Sequence, residues 1–150
     1  MARAWLQPWT VEDFLTFEAL EPERHEFVGG VVRMMPGGSA AHSAIKGNVA
    51  IALGQALRQR PGRAYVSDLK VVTETAVMYP DVVVTDRPLA ANDDRLSDPT
   101  VVVEVLSPAS ETFDRIYKWR EYQRIPLLWH YVLLEQKERR IEVYSRTDTG

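Results

Sequence analysis

Thr100-Val101-Val102-Val103-Glu104-Val105-Leu106-Ser107 carries one carboxylate in the middle of an apolar run. The valines predict a strand over residues 100–107 that is buried on both faces. An acid in such a strand is costly unless it is paired, hydrogen-bonded or bound to a metal. Upstream, Pro80-Asp81-Val82-Val83-Val84 sets a second acid at the mouth of another strand. The proline removes a ladder donor there and makes the backbone irregular. Downstream, Asp114, Lys118 and Tyr122 recur at every fourth position of a helix predicted over residues 112–125, and so share one face. Each group also has an ordinary reading. Glu104 fits a strand-edge acid that reaches water or an arginine, Asp81 fits a simple turn, and Asp114 with Lys118 fits a solvated ion pair.

The rest of the chain builds outward from these strands. Thr10, followed by Glu12 and Asp13, caps a first helix over residues 10–19 that ends before Pro22. Two short apolar runs, 25–28 and 31–35, flank Gly29-Gly30 and read as a hairpin. Ser39 caps a long helix over residues 40–60, closed by Pro61-Gly62. Its buried stripe is Ile45, Val49, Ala52, Leu53, Ala56 and Leu57. Gly47 and Gly54 weaken that helix, so close packing is expected at both. Strands are predicted over 64–73, over 76–85 with an interruption at Pro80, and over 128–135 and 140–144, with a loop over 86–99 and a tail from Arg146 to Gly150. No internal repeat or linker interrupts this order. The class is α/β (α+β), with one central mixed sheet flanked by helices.

Composition narrows the function. The 150 residues are 45% hydrophobic and 26% charged, which fits one domain over 1–150 and excludes disordered and collagen-like chains. No apolar run approaches the ~20 residues of a membrane-spanning helix. The first ten residues lack the apolar core of a secretory signal. Without cysteine, disulfides, thiolate metal sites and a cysteine nucleophile are excluded, and a cytoplasmic location is compatible. The net charge of −3 argues against a protein that coats duplex DNA. It does not argue against a nuclease that gathers carboxylates at its centre and keeps its basic residues local.

Two acids from neighbouring strands, with a third nearby, make the oxygen-rich site that Mg²⁺ or Mn²⁺ prefers. A lysine beside them can stabilise developing negative charge or orient a water, which suits phosphodiester hydrolysis. Glu26, in His25-Glu26-Phe27-Val28, adds one more acid in a half-buried strand. His42 lies near the positive end of the second helix and reads equally as a capping or interface histidine. Arg115, Lys118, Arg120 and Arg124, on or near one helix, are candidates to meet phosphates. No motif makes Ser39 or Ser43 a nucleophile. No phosphate-binding glycine loop, HExxH or GxSxG is present, and three histidines without helical ligand spacing do not make a zinc site.

Taken in order, Thr10-Val11-Glu12-Asp13-Phe14, His25-Glu26-Phe27-Val28-Gly29-Gly30, Ser39-Ala40-Ala41-His42-Ser43, Pro80-Asp81-Val82-Val83-Val84, Val103-Glu104-Val105-Leu106-Ser107-Pro108, Asp114…Lys118…Tyr122 and Ile141-Glu142-Val143-Tyr144 resemble the Uma family of restriction endonucleases. That bacterial group has the PD-(D/E)XK nuclease fold. The resemblance spans about residues 10–146. It implies an αβββαβ core around Mg²⁺ or Mn²⁺, held by Asp81 and Glu104, with Lys118 completing the catalytic set. Glu26, His42, Asp114 and Tyr122 would be auxiliary, DNA the substrate, and a homodimer a suitable assembly for cutting two strands. The sequence departs from the parent nuclease motif at Leu106, where a lysine would stand two residues after the second acid. In this family the lysine has moved to the following helix, as Lys118 does. Gly29 departs from the acidic or asparagine turn residue more usual there. The Leu106 departure and the acidic net charge keep a second reading open: a non-catalytic member of the fold that acts as a nucleic-acid-binding or protein-interaction subunit.

Overall fold

A computed structural model of the chain describes residues 8–149. The signal-sequence reading falls largely on residues 1–7, outside the described residues. Helix α1 (Val11–Glu18) opens with Thr10 and Asp13 in a reciprocal capping box. Its Phe14 stacks on Phe27 of β1 (His25–Val28), with ring centroids 5.5 Å apart. β2 (Val31–Met34) returns through Gly29 and Gly30, whose φ values of 60° and 77° both need the left-handed region. That two-residue turn sets the register, with Val28 opposite Val31 and Glu26 opposite Arg33.

Helix α2 (Ala40–Ala56) is shorter than expected, because Leu57 already caps it. Ile45, Val49, Ala50 and Leu53 pack on a sheet, whereas Ala52 and Ala56 are exposed. The close packing expected at Gly47 and Gly54 is not found, since a Cβ added at either position would meet nothing within 4 Å.

The strands predicted over 64–73 and 76–85 each break in two. The first becomes β3 (Arg63–Val66) and β4 (Lys70–Val72), and the second becomes β5 (Val77–Met78) and β6 (Val82–Thr85). One break falls at Ser67, with φ 56°; the other falls at Tyr79-Pro80-Asp81, where proline has no N–H for a ladder. Ser67 donates its backbone N–H to Asp81 O at 3.2 Å, which pins the two kinks together. β3 pairs with β6, and β4 with β5, in different sheets. The single sheet expected from the sequence is therefore divided into two.

β7 (Arg95–Leu96) lies within the predicted loop and pairs with β4, too short to register as periodicity. β8 (Val101–Val105), β9 (His130–Leu134) and β10 (Ile141–Ser145) complete the strands. The sheet orders are β2-β1-β5-β4-β7 and β10-β9-β8-β6-β3, and each sheet mixes parallel and antiparallel pairs. The third helix is also irregular. Residues Phe113–Lys118 form a π-helical segment that runs into α3 (Trp119–Tyr122).

In β8, Val103 and Val105 face α2, while Val102 joins the main core with Val28, Met78, Tyr122 and Tyr131. Glu104 alternates with Val105 and so turns toward that core and the π segment. Tyr122 and Tyr131 are core, whereas Tyr117 and Trp129 are exposed. Arg146, read as the start of a tail, donates to the carbonyls of Gln123, Ile125 and Leu128. Among the described residues no helix is long and apolar enough to cross a membrane.

Candidate active site

Three elements deliver charged side chains to one buried point. Glu104 comes from the middle of β8, Glu26 from β1, and Asp114 and Lys118 from successive turns of the π segment. All four residues are at most 4% exposed. The Lys118 ammonium stands 2.7 Å from Glu104 Oε1, 2.8 Å from Glu26 Oε1 and 3.4 Å from Asp114 Oδ1. The Asp114–Lys118 spacing, common in solvated surface pairs, is here fully buried. Tyr122 donates its hydroxyl to Glu104 Oε1 at 3.2 Å, and Tyr79 donates its backbone N–H to Glu26 Oε1 at 2.8 Å. Tyr131 supports the helix from below by donating its hydroxyl to Asp114 O. Single-turn π segments inside helices occur often at functional sites.

Asp81 precedes β6, whose register pairs Val82 with Val103 and so brings Asp81 toward Glu104 on β8. Its Oδ2 accepts the Val105 backbone N–H at 2.7 Å and lies 3.2 Å from His42 Nε2. The Pro80 kink frees this carboxylate from the regular ladder. His42 is fixed by its place on α2, where Ser39 Oγ caps its backbone N–H at 3.1 Å. Gly38 leaves room for the imidazole, since a Cβ there would stand 3.1 Å from His42 Nδ1.

A cleft of about 570 Å³ joins both groups, lined by Glu26, His42, Asp81, Glu104, Asp114 and Lys118. Tyr122 lies beneath it, fully buried against Glu104. The arginines expected to meet phosphates are not among its lining residues. Arg115 is held by Glu111, Glu135 and Glu142; Arg124 pairs with Glu121; Arg120 is exposed elsewhere. The basic residues that line the cleft are Arg24, Arg33 and Lys46, beside Lys118. Arg33 went unrecognised in the sequence, although the Gly29-Gly30 turn is a signal that could have set it across from Glu26. Arg24 and Lys46 carry no such local signal.

The charges do not balance. Three buried carboxyls face one buried ammonium. Burial pushes the Glu104 carboxyl well above the ordinary carboxylate range; Lys118 opposes this, and the neighbouring acids Asp114, Asp81 and Glu26 add to it. Burial raises Glu26 as well. Burial disfavours the Lys118 charge, but Glu104, Glu26 and Asp114 outweigh it and hold the ammonium protonated. Burial also keeps the Tyr122 hydroxyl neutral, as a donor to Glu104. Among the described residues, no three His, Asp or Glu side chains stand arranged as a metal site. In donor chemistry the cleft nevertheless fits a hard divalent cation, because Asp81 and Glu104 offer carboxyl oxygens beside a buried cluster with more carboxyls than ammonium groups.

The fold has a solved counterpart. A crystal structure from Anabaena variabilis ATCC 29413, described as "a putative nuclease belonging to DUF820", superposes with a TM-score of 0.67 at 21% identity, covering 94% of this chain and 87% of that one. Two Synechocystis sp. (strain ATCC 27184 / PCC 6803 / Kazusa) proteins are similar in sequence. "Uncharacterized protein slr1290" is 34% identical over 142 residues, covering 93% of this chain and 75% of its own length. "Uncharacterized protein sll1609" is 29% identical over 142 residues, with 91% and 80% covered. The model of the Uma2 family, described as "Putative restriction endonuclease", matches residues 11–150. With nearly the whole chain matched and the fold shared, this chain belongs to the Uma2 family.

Proposed function

We propose that the protein is a divalent-metal-dependent DNA endonuclease whose cleft hydrolyses a phosphodiester bond. The observation that carries this reading is the convergence of Asp81, Glu104 and Lys118 on one cleft, with more buried carboxyls than ammonium groups to balance them. Asp81 and Glu104 are the residues that would hold Mg²⁺ or Mn²⁺. Bound there, the ion would polarise the scissile phosphate and lower the pKa of a water.

The chain's own groups do the rest. Lys118 stays protonated, so it acts by its charge and not as a general base. It neutralises negative charge that develops on the phosphoryl oxygens. Asp114 and Glu26 hold the ammonium in place and keep it charged. Tyr122 fixes one oxygen of Glu104, and His42 orients Asp81. Hydrolysis adds water across one P–O ester bond and leaves a phosphomonoester and an alcohol. Leu106 is 3% exposed in the main core, so its position is spent on packing, and the lysine comes from the π segment.

The test is nicking of supercoiled plasmid with Mg²⁺, with Mn²⁺ and with chelator. Wild-type protein should cut only with metal, and Asp81→Asn and Glu104→Gln should each lose at least about a hundredfold in rate, the scale of removing one transition-state group. Metal-dependent cutting undiminished in both variants would overturn the site assignment. A folded protein that binds no divalent ion at millimolar concentration and cuts nothing would favour the non-catalytic subunit reading.

A further inference from the structure

The buried carboxyls at the floor of the cleft repel the phosphates that a nuclease must admit, so cations in its walls are needed to hold the strand. Two residues meet this need. Arg33 and Lys46 both line the cleft and are half-buried, yet neither has a carboxylate partner among the described residues. Every other described lysine or arginine without such a partner is exposed, except Arg146, which three carbonyls satisfy. A half-buried cation left without a counter-anion, in a wall that faces carboxylates, is placed for an anion from outside.

Their positions bracket the chemistry. Lys46 lies one turn beyond His42 on α2, so it shares the face that meets Asp81. Arg33 is the cross-strand partner of Glu26, whose carboxylate touches Lys118. Arg33 is also preset. Its guanidinium lies over the Phe113 ring, 4.6 Å from the centroid, and donates to the Ala109 carbonyl. One backbone acceptor leaves most of its five N–H donors for a phosphate, which a guanidinium grips in bidentate fashion.

We propose that Arg33 and Lys46 are the phosphate-binding residues of the cleft, gripping the backbone of duplex DNA on either side of the scissile bond. This rests on the nuclease reading and places the phosphate contacts in the cleft and not on the exposed helix arginines. The test is binding of a 20-base-pair duplex in chelator, read by fluorescence anisotropy across a salt series, together with steady-state cleavage in Mn²⁺. Each lost phosphate contact should flatten the slope of log affinity against log salt by about 0.9. Arg33→Gln and Lys46→Gln should each show that change and raise KM with little effect on kcat. The double variant should flatten the slope by about twice as much, Arg33→Lys should recover most of it, and Arg120→Gln should leave it unchanged.

Lys46→Gln removes no hydrogen bond or ion pair among the described residues, so it stays informative even where an Arg33 variant folds poorly. Slopes unchanged in Arg33→Gln and Lys46→Gln, in a protein that still cuts, would overturn this inference and leave the nuclease reading standing. An equal loss in Arg120→Gln would overturn it by moving the contact to the helix face. A wild-type protein that neither binds nor cuts the duplex would overturn both.

Discussion

Replacing Lys118 with methionine tests the buried charge cluster directly. The side chain keeps an unbranched apolar stem and loses the ammonium, which lies 2.7 Å from Glu104 and 2.8 Å from Glu26 at 3% exposure. Removing one partner of a buried ion pair costs about 3–5 kcal/mol while the other stays charged. Here the acids have a way out, because they can take up protons. Burial already raises Glu26 and Glu104, and loss of Lys118 removes what holds them down. The folded variant then retains protons that its unfolded chain has released. Stability falls as pH rises wherever the folded state binds more protons, by about 1.4 kcal/mol per unit for each proton. One extra proton retained between pH 5.5 and 7.5 makes the deficit against wild type about 3 kcal/mol larger at the higher pH. Urea denaturation followed by tryptophan fluorescence at both pH values measures it. Equal deficits at the two pH values, or a loss below about 0.5 kcal/mol at both, would refute the view that Lys118 balances buried carboxylates.

Other expectations concern the frame around the site. Gly47→Ala and Gly54→Ala should each stabilise the protein by about 0.8–1 kcal/mol in chemical denaturation, because both lie in open space on a regular helix. A loss at either would show a close approach that the structure does not contain. The Arg115 guanidinium holds Glu142 down at about 2. A lowered carboxyl contributes stability above its unfolded value, 4.5, and loses it as pH falls toward 2. Glu142→Gln should therefore destabilise the protein at neutral pH and flatten its acid limb between those values, as followed by thermal melts. An acid limb as steep as wild type would contradict the pairing.

The residues of the candidate cleft stood out in the sequence because each breaks or marks a local pattern. Glu104 interrupts a valine strand, Asp81 follows a strand proline, and Asp114, Lys118 and Tyr122 repeat at helical spacing. The Gly29-Gly30 turn announced the hairpin, and the structure supplies its register, with Glu26 opposite Arg33. What was hidden depends on long-range geometry. A strand that changes sheet at Ser67 keeps its β-branched composition on both sides of the kink, so it reads as continuous, and Pro80 announces an interruption but not a change of sheet. The π segment has an ordinary helical sequence, and only the structure shows Asp114 and Lys118 turned inward against β8. Phosphate contacts were expected on the arginine-rich helix because the charges are adjacent in sequence. Arg115 and Arg124 are instead engaged by acids from their own and neighbouring elements, whereas Arg33 and Lys46 line the cleft from separate elements. Gly47 and Gly54 misled in the other direction, since a glycine in a helix suggests close packing and here meets solvent.

The central claim is that Asp81 and Glu104 together hold a divalent cation. Anomalous diffraction from a crystal soaked in Mn²⁺ tests it most directly. The account predicts one strong peak in contact with both carboxylates, lost from an Asp81→Asn crystal soaked in the same way. A soaked crystal with no peak there, or with manganese bound only to other residues, would contradict it.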